Sequence, residues 1–299
     1  MSAASAAAGH PRPAAAAEAE AARRGPSPWR KVTAFALAAV AVAVVSVPLL
    51  WMAFTSLKSN KEITQDGTIL PSTPTLDNYQ RLFNEIDFGS YLRNSIGITA
   101  LSVLFSLIIG SLAAYSIARF RLKWKLEQRL GIALLTARMI PPIVMAIPIY
   151  LLILKLGLIN SWPGLILVYT GFNVTFVVWM MESFFREIPV DLEEAAMVDG
   201  DTRMSAFRRI VLPLAGPGLV ATAIFAIIVT FNEFLMALVL TSTPDAMTVP
   251  RGTATLIGRI DIDWGAMSAA GVVAALPIVI FALFVQRHLV RGLTLGAVK

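Results

Sequence analysis

The sequence predicts an all-α membrane protein with six transmembrane helices and both termini in the cytoplasm. Three observations lead there. The 299 residues are 57% apolar and only 15% charged, with a mean hydropathy of +0.71, whereas soluble domains carry about 25% charged residues. Six windows reach the roughly 20 apolar residues that cross a bilayer: 32–54, 94–118, 130–154, 162–181, 214–241 and 264–285. Seventeen of the 25 Lys and Arg fall on one side of that arrangement and seven on the other. The richer side faces the cytoplasm by the positive-inside rule, and an even number of spans puts both termini there. The net charge of +6 orients spans, so no nucleic-acid partner is implied.

Taken in order, residues 1–30 are rich in Ala with Pro, Arg and Glu and hold no apolar core run. They read as a disordered cytoplasmic tail, with a short helix over 14–22 as the alternative. The first window is free of charge. The connection after it, 55–93, carries Tyr79, Phe83, Phe88 and Tyr91, which suit an interface and short helices lying along the membrane. In the second window Gly110 and Ala114 form a small-xxx-small pair suited to helix packing. A basic stretch follows, with Arg119, Arg121, Lys123, Lys125 and Arg129.

The third window contains Arg138 ahead of Ile140-Pro141-Pro142, with Pro148 beyond. Prolines remove donors and break the helix. Arg138 has three readings: a partner for Glu233 or Glu182, a gate residue, or a side chain that snorkels toward the cytoplasm. The fourth window holds Asn173 and Thr175, and the fifth Asn232 and Glu233. Polar groups inside spans usually face an interior or a pathway. Counted from the outer ends at 1.5 Å per residue, Asn173 and Asn232 sit about 14–17 Å deep. Two amides at one depth offer donors and acceptors to sugar hydroxyls; the alternative is a packing hydrogen bond between them. The connection 242–263 is polar, with Pro244, Pro250 and Gly252. The length of both outer connections favours contact with something extracytoplasmic, against plain solvated loops.

Between the fourth and fifth windows lies EEAAMVDGDTRMSAFRRIVLP, residues 193–213, too polar and too short to span. Asp191, Glu193 and Glu194 crowd a first helical turn, where they suit the positive end of the helix dipole. Leu192, Ala195, Ala196 and Met197 give that helix an apolar face. Asp199-Gly200-Asp201 supplies a turn, and Asp201 is placed to cap a second helix. There Met204, Phe207, Ile210 and Val211 recur on one face, and Pro213 bends the chain back toward lipid. The segment reads either as a helical hairpin that plugs into a cytoplasmic partner or as an amphipathic connector on the bilayer. Small residues beside a carboxylate favour close docking against a basic group.

Glu194-Ala195-Ala196, Gly200, Phe207, Ile210, Leu212 and Pro213 together resemble the coupling signature of bacterial ABC importer permeases, the binding-protein-dependent transport inner-membrane component family. LDNYQRLF (76–83), NSIGI (94–98), AYSIARF (114–120), SWPGLIL (161–167), FFREIPVDLEEAA (184–196) and RGLTLGAVK (291–299) resemble its carbohydrate-importer branch. The resemblance covers about residues 30–299. It implies a type I importer permease fold over 31–299, with coupling helices at about 189–212 and a C-terminal tail at 286–299. It implies location in the bacterial inner membrane.

Its implied partners are a second, homologous permease in a heterodimer, two cytoplasmic ATPases and an extracytoplasmic sugar-binding protein. Glu194, Ala195, Ala196, Asp199, Gly200, Arg203 and Phe207 would meet an ATPase. Gly292, Gly296 and Lys299 would reach the ATPase interface, against a loose tail as the alternative. Asn173, Thr175, Asn232, Glu233 and Arg138 are the pathway candidates, though the partner permease is an alternative holder of the substrate. Where the family usually has Ala, this chain has Asp201.

The chain has no Gly-Lys pair and so no phosphate-cradling GxxxxGK[ST] loop. ATP and Mg would therefore sit on the partner ATPase, with no cofactor on this chain and no enzymatic activity of its own. Absence of cysteine excludes disulfides and thiolate chemistry. His10 and His288 lie at opposite ends of the sequence, which leaves no expected metal site. A self-contained secondary transporter or channel would rest only on Glu233 and Arg138, and a membrane scaffold would leave the hairpin without a partner.

Overall fold

The computed structural model describes residues 28–65, 67–120, 126–258 and 262–296. Among these, every regular element is helical apart from one isolated antiparallel bridge, Ile257 to Ile262. The chain divides into two units, residues 1–51 and 52–299. The expected N-terminal tail lies outside the described residues as far as residue 27, and residues 28–30 already belong to helix α1 (Pro28–Ser56). That helix accounts for all the described part of the first unit and is apolar enough to cross a membrane over Lys31–Ser56.

The second unit is organised around the parallel pair α4 (Phe88–Arg119) and α7 (Trp162–Glu187). Their polarity is inside out relative to a soluble helix. The face of α4 that meets its neighbours carries Ser95, Thr99, Ser102 and Ser106, all buried, while Leu104, Phe105, Ile108 and Ile109 are exposed. Small hydroxylated residues allow close approach, and each hydroxyl can return its bond to the backbone. Ser102 Oγ donates to Ile98 O at 2.7 Å and Ser106 Oγ to Val103 O at 2.9 Å. At Gly110 a Cβ would lie 2.6 Å from Val177 Cγ1, and Ala114 is fully buried. The small-xxx-small pair therefore packs helices, as its spacing predicts.

Two windows are broken. The third becomes α5 (Leu126–Met139) and α6 (Pro142–Lys155), each 14 residues long, separated at Ile140-Pro141. The fifth becomes α10 (Gly216–Phe231) and α11 (Leu235–Leu240), parted at Asn232 to Phe234. Ahead of α10, α8 (Asp191–Val198) and α9 (Arg203–Leu214) form the hairpin, and α9 meets α10 at a 74° bend. The last helix, α13 (Trp264–Gly296), is continuous well past the sixth window. Among the described residues, four helices are singly long and apolar enough to span, namely α1, α4, α7 and α13 over Trp264–Leu283; the bent pair α9–α10 makes five. This is a multi-pass membrane protein.

The two long connections are not solvated loops. They contain α2 (Asn60–Gln65), α3 (Asp77–Asn84) and α12 (Val249–Ala254), and fold together around Leu82, Phe88, Tyr91, Met247, Val249 and Ala266. Phe88 and Tyr91, expected at an interface, are core residues instead, while Phe83 stays exposed. Asn94 ties this layer to the α4–α7 pair: its Nδ2 donates to Pro244 O and Met247 O at 2.8 and 2.9 Å, and its Oδ1 accepts from Trp162 Nε1 at 3.1 Å. Asn160, with φ +54°, accepts from the amides of Ser242 and Thr243. Glu62, also buried, accepts from the Ser72 amide at 2.5 Å and from Thr68 Oγ1. The Ser72 amide is the main reason its carboxyl lies below the usual carboxylate range, against the opposing pull of burial.

Candidate functional site: the α8–α9 hairpin

The turn of the hairpin follows from one glycine. Gly200 has φ +97°, a left-handed conformation that a Cβ disfavours. In that conformation Asp201 N reaches Ala196 O at 3.0 Å and Gly200 N reaches Met197 O at 3.2 Å. These two bonds form a Schellman closure of α8 that satisfies its last carbonyls. The cap of α9 is Thr202, whose Oγ1 accepts from Ser205 N at 3.2 Å. The sequence assigned that role to Asp201. Its Oδ1 instead accepts from Ser205 Oγ at 2.8 Å and from Arg209 Nη1 at 3.2 Å, bracing the same turn through side chains. Helix α9 widens into a π turn over Phe207–Val211, one residue short of Pro213, which has no N–H to continue an α-helical ladder.

The two faces of the hairpin differ sharply. Outward, Glu194, Ala195, Asp199, Gly200 and Arg203 are exposed, as are Leu192, Met204 and, at 86%, Val198. Ala196 is half-buried. A compact apolar tip ringed by charges faces away from the fold, the composition of a docking surface. Inward, Phe207 is 4% exposed and packs with Tyr115, Phe185 and Val211. Grouped with the contact residues by sequence, it belongs instead to the hairpin's anchor.

The anchor contains a residue whose role the sequence reading missed. Glu193, given there to the helix dipole, is 3% exposed. Its Oε1 accepts from Arg119 Nε and its Oε2 from Tyr115 OH, both at 2.5 Å. Arg119 also donates through Nη2 to Ile188 O at 2.8 Å. The Tyr115 ring lies 4.5 Å from that of Phe207, and the Arg203 guanidinium sits 4.9 Å over the Phe120 ring. One signal was available: Tyr115 and Arg119 lie four apart in AYSIARF, on one helical face at the end of a span. Nothing local pairs them with Glu193.

The pathway candidates separate. Asn173 is buried and donates to Thr230 Oγ1 at 2.7 Å, so it packs α7 on α10. Asn232 is exposed at the α10–α11 break, with its Nδ2 on Ile228 O at 2.8 Å. The alternative reading, a bond between the two amides, gives way to these separate contacts. Thr175 returns its hydroxyl to Phe172 O. Glu233 accepts from Tyr169 OH at 2.8 Å and from the amides of Met236 and Ala237, capping α11. Glu182, the other proposed partner of Arg138, pairs with Arg186 at 2.8 Å. Arg138 lies on α5, and its side chain is outside the described residues. Gly292 and Gly296 lie on the last turns of α13, so that part of the C-terminal segment is helical; Lys299 is outside the described residues. Among the described residues, no cluster of three or more His, Cys, Asp or Glu could hold a metal.

Comparison with known proteins accords with this geometry. Residues 106–295 match the family model of binding-protein-dependent transport system inner membrane components. The trehalose transport system permease SugB of Mycobacterium tuberculosis is 41% identical over 255 residues, 85% of this chain and 92% of the relative. The trehalose/maltose transport system permease MalG of Thermococcus litoralis is 38% identical over 260 residues, 84% and 91% of the two chains. Among solved structures, a bacterial ABC transporter that imports the acidic polysaccharide alginate aligns with a TM-score of 0.74 at 22% identity, covering 88% of this chain and 97% of that one. The chain therefore belongs to the binding-protein-dependent transport system inner membrane component family.

Proposed function

We propose that this chain is the permease subunit of an ATP-driven importer of a carbohydrate or related polyol, with an extracytoplasmic binding protein delivering the substrate. The observation that carries the reading is the hairpin: an exposed tip of Glu194, Ala195 and Val198 on a base anchored by Glu193. The relatives are permeases named for trehalose and maltose, which supports a sugar cargo. The chain is a transport subunit and not an enzyme. ATP and Mg would be bound by two partner ATPases, whose closure presses on the hairpins of this chain and of a second, homologous permease. The chain would cross the bacterial inner membrane six times with both ends in the cytoplasm, α5 and α6 together making the third crossing. Asn232, exposed at a helix break, is the favoured sugar contact, since broken spans bring polar groups to mid-membrane.

Glu194→Lys tests the coupling. It reverses charge on the exposed tip without touching the anchor. Uptake of labelled trehalose and maltose in cells should fall at least about tenfold, with less ATPase co-purifying, as expected for loss of a charge-assisted contact. Unchanged ATP-dependent uptake would remove the hairpin from the ATPase interface.

A further inference from the structure

We infer that Glu193, Arg119 and Tyr115 lock the hairpin to the ends of α4 and α7, so that the three elements move as one rigid body. The inference rests on the hairpin being the ATPase contact. Its consequence is that a push on the hairpin enters the α4–α7 pair directly, as well as through Pro213 into α10.

The geometry over-determines the joint. Arg119, on the last turn of α4, holds Glu193 of α8 through Nε and the Ile188 carbonyl, just past α7, through Nη2. One guanidinium thus spans three chain segments, which its planar fork does with little rotational freedom. Tyr115 takes the remaining carboxylate oxygen, and its ring is held by Phe185 and Phe207. Arg119 and Glu193 side chains are each 5% exposed, unlike the pairs Arg186–Glu182 and Arg209–Asp201, whose arginines are 53% and 74% exposed. A buried ion pair gains little stability over an apolar filling of the same shape. What it adds here is a single permitted orientation. The opposite exit from the hairpin has the reverse character, with a π turn followed by a 74° bend. The three residues are positioning residues.

The test uses the assembled transporter. Nitroxide labels at Ser116 and Asp191, both outside the lock, report the distance from α4 to the hairpin by electron paramagnetic resonance. Because this chain has no cysteine, the two introduced ones are its only thiol labelling sites. The distance should stay within about 2 Å between nucleotide-free and ATP–vanadate states, well short of the one-turn shift of about 5.4 Å by which elements ratchet past one another in switching proteins. Glu193→Gln should broaden the distribution and raise the ATP hydrolysed per trehalose or maltose imported about fivefold, the scale of a loosened coupling element. Tyr115→Phe keeps the ion pair and should give a smaller change of both kinds, which covers failure of the first variant to fold. Arg186→Ala should do neither. A native distance that moves further between states, or variants that leave width and ratio unchanged, overturns the lock. Absence of an ATPase from the native complex defeats the coupling reading instead.

Discussion

The two ends of the α4–α7 pair are closed by different chemistry. At the end near Arg119 the joint is ionic: one guanidinium, one carboxylate and one phenol, with the phenol's ring packed against those of Phe120, Phe185 and Phe207. At the end near Trp162 it is neutral: Asn94, Ser95 and Asn160 bond backbone groups of residues 242–249. Neutral amides tolerate loss one bond at a time. An ionic joint fails as a unit, because removing one member strands a buried charge. The difference leaves one end held by many separable bonds and the other held in a single orientation by one buried ion pair.

The largest effect should come from Arg119→Met. We expect a loss of about 3–5 kcal/mol, because Glu193 is left charged and enclosed. Adding Glu193→Leu should recover most of it, and chemical denaturation of the purified protein in detergent measures both. A single-variant cost below about 1 kcal/mol, the scale of a surface pair, would falsify the ionic character of that joint. Asn94→Leu should cost less, about 1–3 kcal/mol for stranding two carbonyls and the Trp162 donor. No partner mutation should rescue it, since those carbonyls belong to the backbone.

The smallest effect at neutral pH, and the one that sharpens the contrast, concerns Glu62. Its folded-state carboxyl is shifted below the ordinary value of about 4.3. The anion therefore supports the fold fully above that ordinary value, and the support is lost as pH falls through the lower folded value. Thermal melts from pH 6 to pH 3 should show the native protein losing its advantage over Glu62→Gln as the medium acidifies. A gap that widens on acidification would contradict the assigned hydrogen bond.

What was legible in the sequence was what repeats locally. The apolar windows became helices, Pro141-Pro142 marked the break in the third window, and Gly200 marked the hairpin turn. The break in the fifth window was not legible, because Asn232-Glu233 carries no proline or glycine; Asn232 ends one helix and Glu233 caps the next from inside an apolar run. Asp201 and Thr202 are adjacent and equally able to cap, so only geometry separates them. The role of Glu193 was invisible for a stronger reason. Its partners lie 74 and 78 residues away, and no periodicity links one span's end to a distant polar turn. Phe207 illustrates the converse, since a position in the same motif as the exposed tip residues is itself buried.

That separation of 74 residues has a consequence for biogenesis. A ribosome adding about 5–20 residues per second delivers Glu193 several seconds after Arg119. Throughout that interval the guanidinium lacks the carboxylate that holds it in the fold, and an unpaired charge is costly to move into hydrocarbon. That cost favours keeping its end of the nascent helix at the water's edge. The same side chain is thus available to the nascent helix before it closes the joint with the later segment.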